Sequence, residues 1–88
     1  MPSSDRDSLP GIEKLRWQCR RGMLELDYAL SDFLEQQYLG LGPDEKALFV
    51  RLLDFEDQLL LDWLMGNVVP SDEALRDMVE RIAKRKPA

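Results

Sequence analysis

Histidine is absent from this 88-residue chain, and cysteine occurs once. Without histidine there is no imidazole general acid–base pair, no Ser–His–Asp triad and no His-containing metal site. One cysteine excludes an intrachain disulfide framework and any Cys-rich zinc or iron–sulfur cluster. Positive charge is also in short supply: 12 Lys+Arg stand against 17 Asp+Glu, for a net -5. That balance argues against a general nucleic-acid binder, which carries a basic surface. Apolar runs end at four residues, as in Ala47–Val50, far from the ~20 needed to span a bilayer. The opening MPSSDRDSLPG has neither the apolar stretch of a secretory signal nor the acid-poor, Arg-rich character of an organellar transit peptide. The chain therefore reads as soluble and cytoplasmic, with Cys19 a reduced thiol. Catalysis would have to rest on carboxylates, Lys, Arg, Tyr or Cys19, and a small acidic binding protein is the better fit.

What is present amounts to one domain over residues 1–88. A chain this short buries only roughly 60–65% of its unfolded surface, so every long apolar residue counts. Charge is segregated: residues 1–24 hold five basic and three acidic side chains, residues 25–73 two and twelve, residues 74–88 five and two. An acidic body thus lies between two basic ends. Such segregation either orients a docking partner or simply solubilises the surface.

Apolar spacing predicts five helices. Ser8 can cap the first, with Pro10 in its first turn; Ile12, Leu15, Trp17 and Cys19 form its weak pattern, which Gly22 interrupts. The second runs from about Met23 to Tyr38 on a broad face of Met23, Leu26, Leu30, Phe33, Leu34 and Tyr38. Gly40-Leu41-Gly42 stops it, and Pro43 opens a third helix to Asp54, burying Leu48, Phe49, Leu52, Leu53 and Phe55. Asp57 is the cap expected for a fourth, Gln58 to Met65, with Leu60, Trp63 and Leu64 inward. Pro70-Ser71-Asp72-Glu73 starts the last, with Ser71 as capping hydroxyl and Leu75, Met78, Val79 and Ile82 as its core face to about Arg85. Pro87 ends it. Residues 1–8 and 86–88 are expected to fray. No segment alternates with period two, so the expected fold is all-α, a small five-helix bundle.

Two clusters could carry function. The first is Arg20-Arg21-Gly22-Met23-Leu24-Glu25. At a four-residue step, Arg21 and Glu25 can form a surface ion pair worth about 0.2–0.5 kcal/mol. Alternatively Gly22 clears space beside two guanidiniums and a carboxylate for a partner's polar groups. Spacing leaves both open. The second is Asp54-Phe55-Glu56-Asp57 with Asp62-Trp63, which lacks the alternating oxygen ligands and central glycine of an EF-hand and reads as capping plus solvated face. Paired carboxylates for glycosidase chemistry would find no cleft in so small a bundle. Trp17 and Trp63 read first as core residues, although Trp17 beside Arg20 also has the composition of an interface anchor. Cys19 lacks a neighbouring base and reads as a packed thiol.

The run Leu15-Arg16-Trp17-Gln18-Cys19-Arg20-Arg21-Gly22-Met23-Leu24-Glu25-Leu26-Asp27 resembles the SdhE family of succinate dehydrogenase flavin-assembly factors, a family once taken for the antitoxin of a toxin–antitoxin pair. Its hallmark Arg-Gly-x-x-Glu matches Arg21, Gly22 and Glu25, and the likeness continues through Asp57 and Leu61-Asp62-Trp63-Leu64-Met65 to Ile82. The resemblance implies a non-enzymatic helper. It would bind the flavoprotein subunit of succinate dehydrogenase, and in some organisms that of fumarate reductase, and promote covalent attachment of FAD. The FAD and the linkage histidine would belong to the client, and no cofactor would be held stably here. Carried onto this chain, the family's motif face comprises Arg20, Arg21, Gly22 and Glu25, with Asp57 close by; with Trp17, the candidate interface anchor, these are the expected partner-binding residues. The chain is further expected to be a monomer when free, with no nucleic-acid partner and no membrane insertion. The rival reading is an antitoxin-like or regulatory interaction module.

Overall fold

The computed structural model describes residues 10–85 and contains five α-helices. The expected cap at Ser8, the fraying at 1–8 and 86–88 and the stop at Pro87 lie outside the described residues. Helix α1 spans Ile12–Gln18, α2 Leu24–Gln37, α3 Pro43–Leu52, α4 Asp57–Met65 and α5 Glu73–Ala83. A 3-10 turn, Tyr38–Gly40, extends α2.

Local chemistry sets the boundaries. Gly22 takes φ +81, the left-handed region that side chains disfavour, and it separates α1 from α2. Glu25 and Asp27 occupy the first turn of α2, where carboxylates meet the positive end of the helix dipole. Pro43 opens α3 at a position whose amide needs no partner, and the Glu45 carboxylate accepts the Gly42 N–H at 3.3 Å. Helix α4 closes on Gly66, φ +82, with Gly66 N–H donating to the Trp63 carbonyl at 3.2 Å and Asn67 N–H to the Asp62 carbonyl at 2.9 Å. This is the paired bonding of a Schellman close.

Two caps differ from the sequence expectation. Asp57 is the first residue of α4 and Glu56 precedes it as the cap. For α5 the cap is Asp72, whose carboxylate accepts the Ala74 N–H at 2.9 Å, so the helix starts one residue later than Ser71 would place it. A carboxylate does the same work as a hydroxyl and adds a favourable charge at the helix start. Helix α3 ends at Leu52, short of Asp54, because Leu53 and Asp54 close the helix with i−3 bonds to Val50 and Arg51.

Helix α2 packs on α1, α4 and α5, and α5 packs on α3 and α4. Leu26, Leu30, Phe33 and Leu34 from α2 meet Phe49 and Leu52, Leu60 and Trp63, and Leu75, Met78, Val79 and Ile82 in one buried core. Leu48, Phe55 and Leu64 are half-buried at its edge rather than fully enclosed. Phe33 and Tyr38 flank Phe49 at centroid distances of 5.4 and 5.5 Å, and Phe55 meets Trp63 edge-on at 5.0 Å. Each fully buried large side chain contributes about 1.5–3 kcal/mol.

The charge segregation has an internal use. Arg16 and Arg21 from the first basic segment pair with Glu35 and Asp57, and Arg81 and Arg85 from the last pair with Glu45 and Asp32. The basic ends fold back onto the acidic body. The Arg16–Glu35 and Arg81–Glu45 pairs are exposed, each contributing at most about 1 kcal/mol; the Arg21–Asp57 pair is partly buried, and the Arg85–Asp32 pair, 3.4 Å apart, is mostly buried and ties the end of α5 to α2.

Candidate docking site

In α1, Leu15 and Cys19 point inward. Trp17 lies two residues from each, which at 100° per residue turns it to the opposite side. It is 72% exposed, so the core reading of Trp17 is corrected, while Trp63 is in the core at 8%. The Arg20 guanidinium sits over the Trp17 ring, 5.5 Å from its centroid. Among the described residues Arg20 makes no ion pair. Beneath them Arg16 grips Glu35 with two bonds, 2.6 and 3.2 Å. The pairing raises the Arg16 pKa and lowers that of Glu35.

Arg21 behaves differently from its neighbour. Its backbone N–H donates to the Asp27 carboxylate, and its guanidinium donates to Asp57 Oδ1 at 3.2 Å and to the Leu53 carbonyl. Only 15% of its side chain is exposed. The alternative of an Arg21–Glu25 surface pair is thereby excluded: Arg21 precedes α2, and the Gly22 turn points it toward α4 instead. Glu25 is exposed and makes no ion pair among the described residues. At Gly22 an added Cβ would meet nothing within 4 Å, so the glycine leaves open space on the surface.

Trp17 and Arg20 thus form one exposed contact, Arg21 and Asp57 one internal clasp, and Gly22 and Glu25 are both exposed. Sequence reasoning missed three exposed apolar neighbours: Leu24 at 65%, Tyr28 at 58% and Met65 at 60%. A signal existed for two. Leu24 and Tyr28 are four apart and fall opposite Leu26 and Leu30 on a helix, off the core stripe. Tyr28 borders two hollows, one with Arg16, Arg20, Ser31 and Glu35, the other with Glu25, Leu61, Leu64 and Met65.

Among the described residues, the Gly40–Gly42 turn before α3 does not fit a resident dinucleotide. Gly40-Leu41-Gly42 has Glu45 where a phosphate-binding fingerprint needs its third glycine, and Asp44 and Glu45 in the first turn of α3 would repel a pyrophosphate. Among the described residues no group of three or more His, Cys, Asp or Glu is placed to hold a metal ion, and no helix is long and apolar enough to cross a membrane. Cys19 is fully buried, and burial pushes its thiol up to about 12 against the smaller opposing effect of Arg21. A protonated, enclosed thiol is not a nucleophile.

A profile described as the flavinator of succinate dehydrogenase matches residues 13–86. The chain belongs to this family. Relatives of the same name, FAD assembly factor SdhE, agree along most of their length. The Coxiella burnetii protein is 46% identical over 70 residues, covering 80% of this chain and 85% of that one. The Shewanella oneidensis protein is 44% identical over 77 residues, covering 88% and 94%. The protein from Serratia sp. is 42% identical over 81 residues, covering 92% and 89%. The expected family and the all-α five-helix architecture are both borne out.

Proposed function

We propose that this chain is a flavin-assembly factor, not an enzyme. It promotes covalent attachment of FAD to the flavoprotein subunit of succinate dehydrogenase by docking on that subunit in the cytoplasm. Membership of the flavinator family supports the activity. One observation supports the docking face: Trp17 and Arg20 stand exposed in mutual contact, the surface at Gly22 is open, and Glu25 is exposed and makes no ion pair among the described residues. Trp and Arg are the residue types that dominate interface energetics when a partner desolvates them.

In this reading the residues divide the work. Trp17, Arg20, Gly22 and Glu25 meet the client, while Arg21 and Asp57 hold the Gly22 turn in position. Holding the client in a reactive arrangement removes ordering entropy before bond formation, and the reacting groups and the FAD are the client's own.

The test is covalent flavin fluorescence of the flavoprotein in denaturing gels from a strain lacking this gene. The expected result is loss of fluorescence, restored by the wild-type gene and not by Glu25→Ala or Gly22→Arg. Unchanged fluorescence in the deletion strain would overturn the reading. Co-purification with the chain from the complemented strain tests the fumarate reductase flavoprotein as a second client, and light scattering of the purified chain tests the proposed monomer.

A further inference from the structure

A hollow beside α2 joins the docking face to α4 and α5. Glu25 and Tyr28 from α2, Leu61, Leu64 and Met65 from α4, and Arg85 line it. The two charged groups differ in their commitments. Arg85 is bound to Asp32 in the mostly buried pair that ties α5 to α2. Glu25, one turn before Tyr28, has no ion-pair partner among the described residues. The lining is therefore mostly apolar, with one carboxylate that makes no ion pair among the described residues.

We propose that this hollow receives a lysine or arginine side chain of the client flavoprotein. The aliphatic stem lies against Tyr28, Leu64 and Met65, and the cationic head pairs with Glu25. Long basic side chains bury their methylenes on apolar surface while their heads seek an anion at the rim. An apolar occupant would leave Glu25 desolvated and unpaired, and an acidic one would be repelled by it. Arg85 makes its ion pair with Asp32 and none with Glu25. The inference rests on the docking face proposed above and names what one part of that face recognises.

The experiment measures binding of the purified chain to the purified, FAD-free flavoprotein subunit by calorimetry at two salt concentrations. Glu25→Gln should weaken binding about 30-fold or more and flatten the salt dependence. Tyr28→Ala and Met65→Ser should weaken it about tenfold without changing the salt dependence. Glu25→Arg should lose binding and regain it with one client variant in which a basic residue becomes Glu. All of these positions are exposed, and thermal melts establish that each variant folds. If Glu25→Gln and Met65→Ser bind like wild type while Trp17→Ala and Gly22→Arg do not, the hollow is not a client site and the docking face stands. If all four bind like wild type, the docking face itself is wrong. Self-association of the free chain that Glu25→Gln abolishes would assign the hollow to a second copy and overturn the proposal.

Discussion

The Arg21 guanidinium crosses from the loop before α2 to Asp57 in the first turn of α4, 3.2 Å from Oδ1, and also binds the Leu53 carbonyl. One side chain thereby links the glycine turn, the end of α3 and the start of α4. Arg20, its neighbour in sequence, faces outward over Trp17. Two adjacent arginines have opposite roles, one holding the surface in shape and the other presented on it.

Arg21→Ala should therefore destabilise the fold, because Asp57 and the Leu53 carbonyl lose a half-buried donor. The expected cost is about 1.5–3 kcal/mol. Arg20→Ala should change stability by less than about 0.5 kcal/mol, as expected for a surface substitution. Urea denaturation of the two variants separates them, and equal midpoints would contradict the assigned roles.

At Gly22 the backbone sets the stability effect and the open space sets the functional one. Gly22→Ala should cost about 1 kcal/mol, since φ +81 disfavours any Cβ although nothing stands within 4 Å. Gly22→Arg should cost a similar amount in thermal unfolding and yet abolish flavinylation. Activity retained in a folded Gly22→Arg variant would show that no partner approaches there.

Trp17→Ala should leave the melting temperature almost unchanged, because the ring is 72% exposed. Affinity for the flavoprotein should fall by about 2 kcal/mol or more. A change confined to stability, with binding intact, would return Trp17 to a structural role.

Cys19 provides a pH test. Burial raises its thiol to about 12 in the folded chain, against about 8.5 when unfolded. The contribution is fully present below the unfolded value and is lost as pH rises toward the folded one. The stability difference between wild type and Cys19→Ala should accordingly shift against wild type between about pH 8.5 and 12, in urea titrations. At pH 8 native Cys19 should react with iodoacetamide at least about a hundredfold more slowly than in urea.

Much of the fold follows from spacing within single helices. Leu75, Met78, Val79 and Ile82 are all buried on α5, and Leu26, Leu30, Phe33 and Leu34 on α2, as their three- and four-residue steps require. Helix ends were legible where one residue type carries the signal, as at Pro43 and Gly66. They were less so where Ser71 and Asp72 competed for one cap, since either side chain can accept the bond.

By itself, then, the sequence determined the helices, their inward faces and the Arg-Gly-x-x-Glu likeness, because each is a local property of chain chemistry. The missing histidine belongs with these: by itself it excludes imidazole chemistry. Only the tertiary structure decided that Arg21 reaches Asp57 rather than Glu25, that Trp17 and Tyr28 stand exposed, and that the basic ends close onto the acidic middle. Those outcomes depend on how the helices are aimed relative to one another, which the Gly22 turn sets for Arg21. Residues 36 positions apart, such as Arg21 and Asp57, are brought together by that packing and not by any period in the sequence.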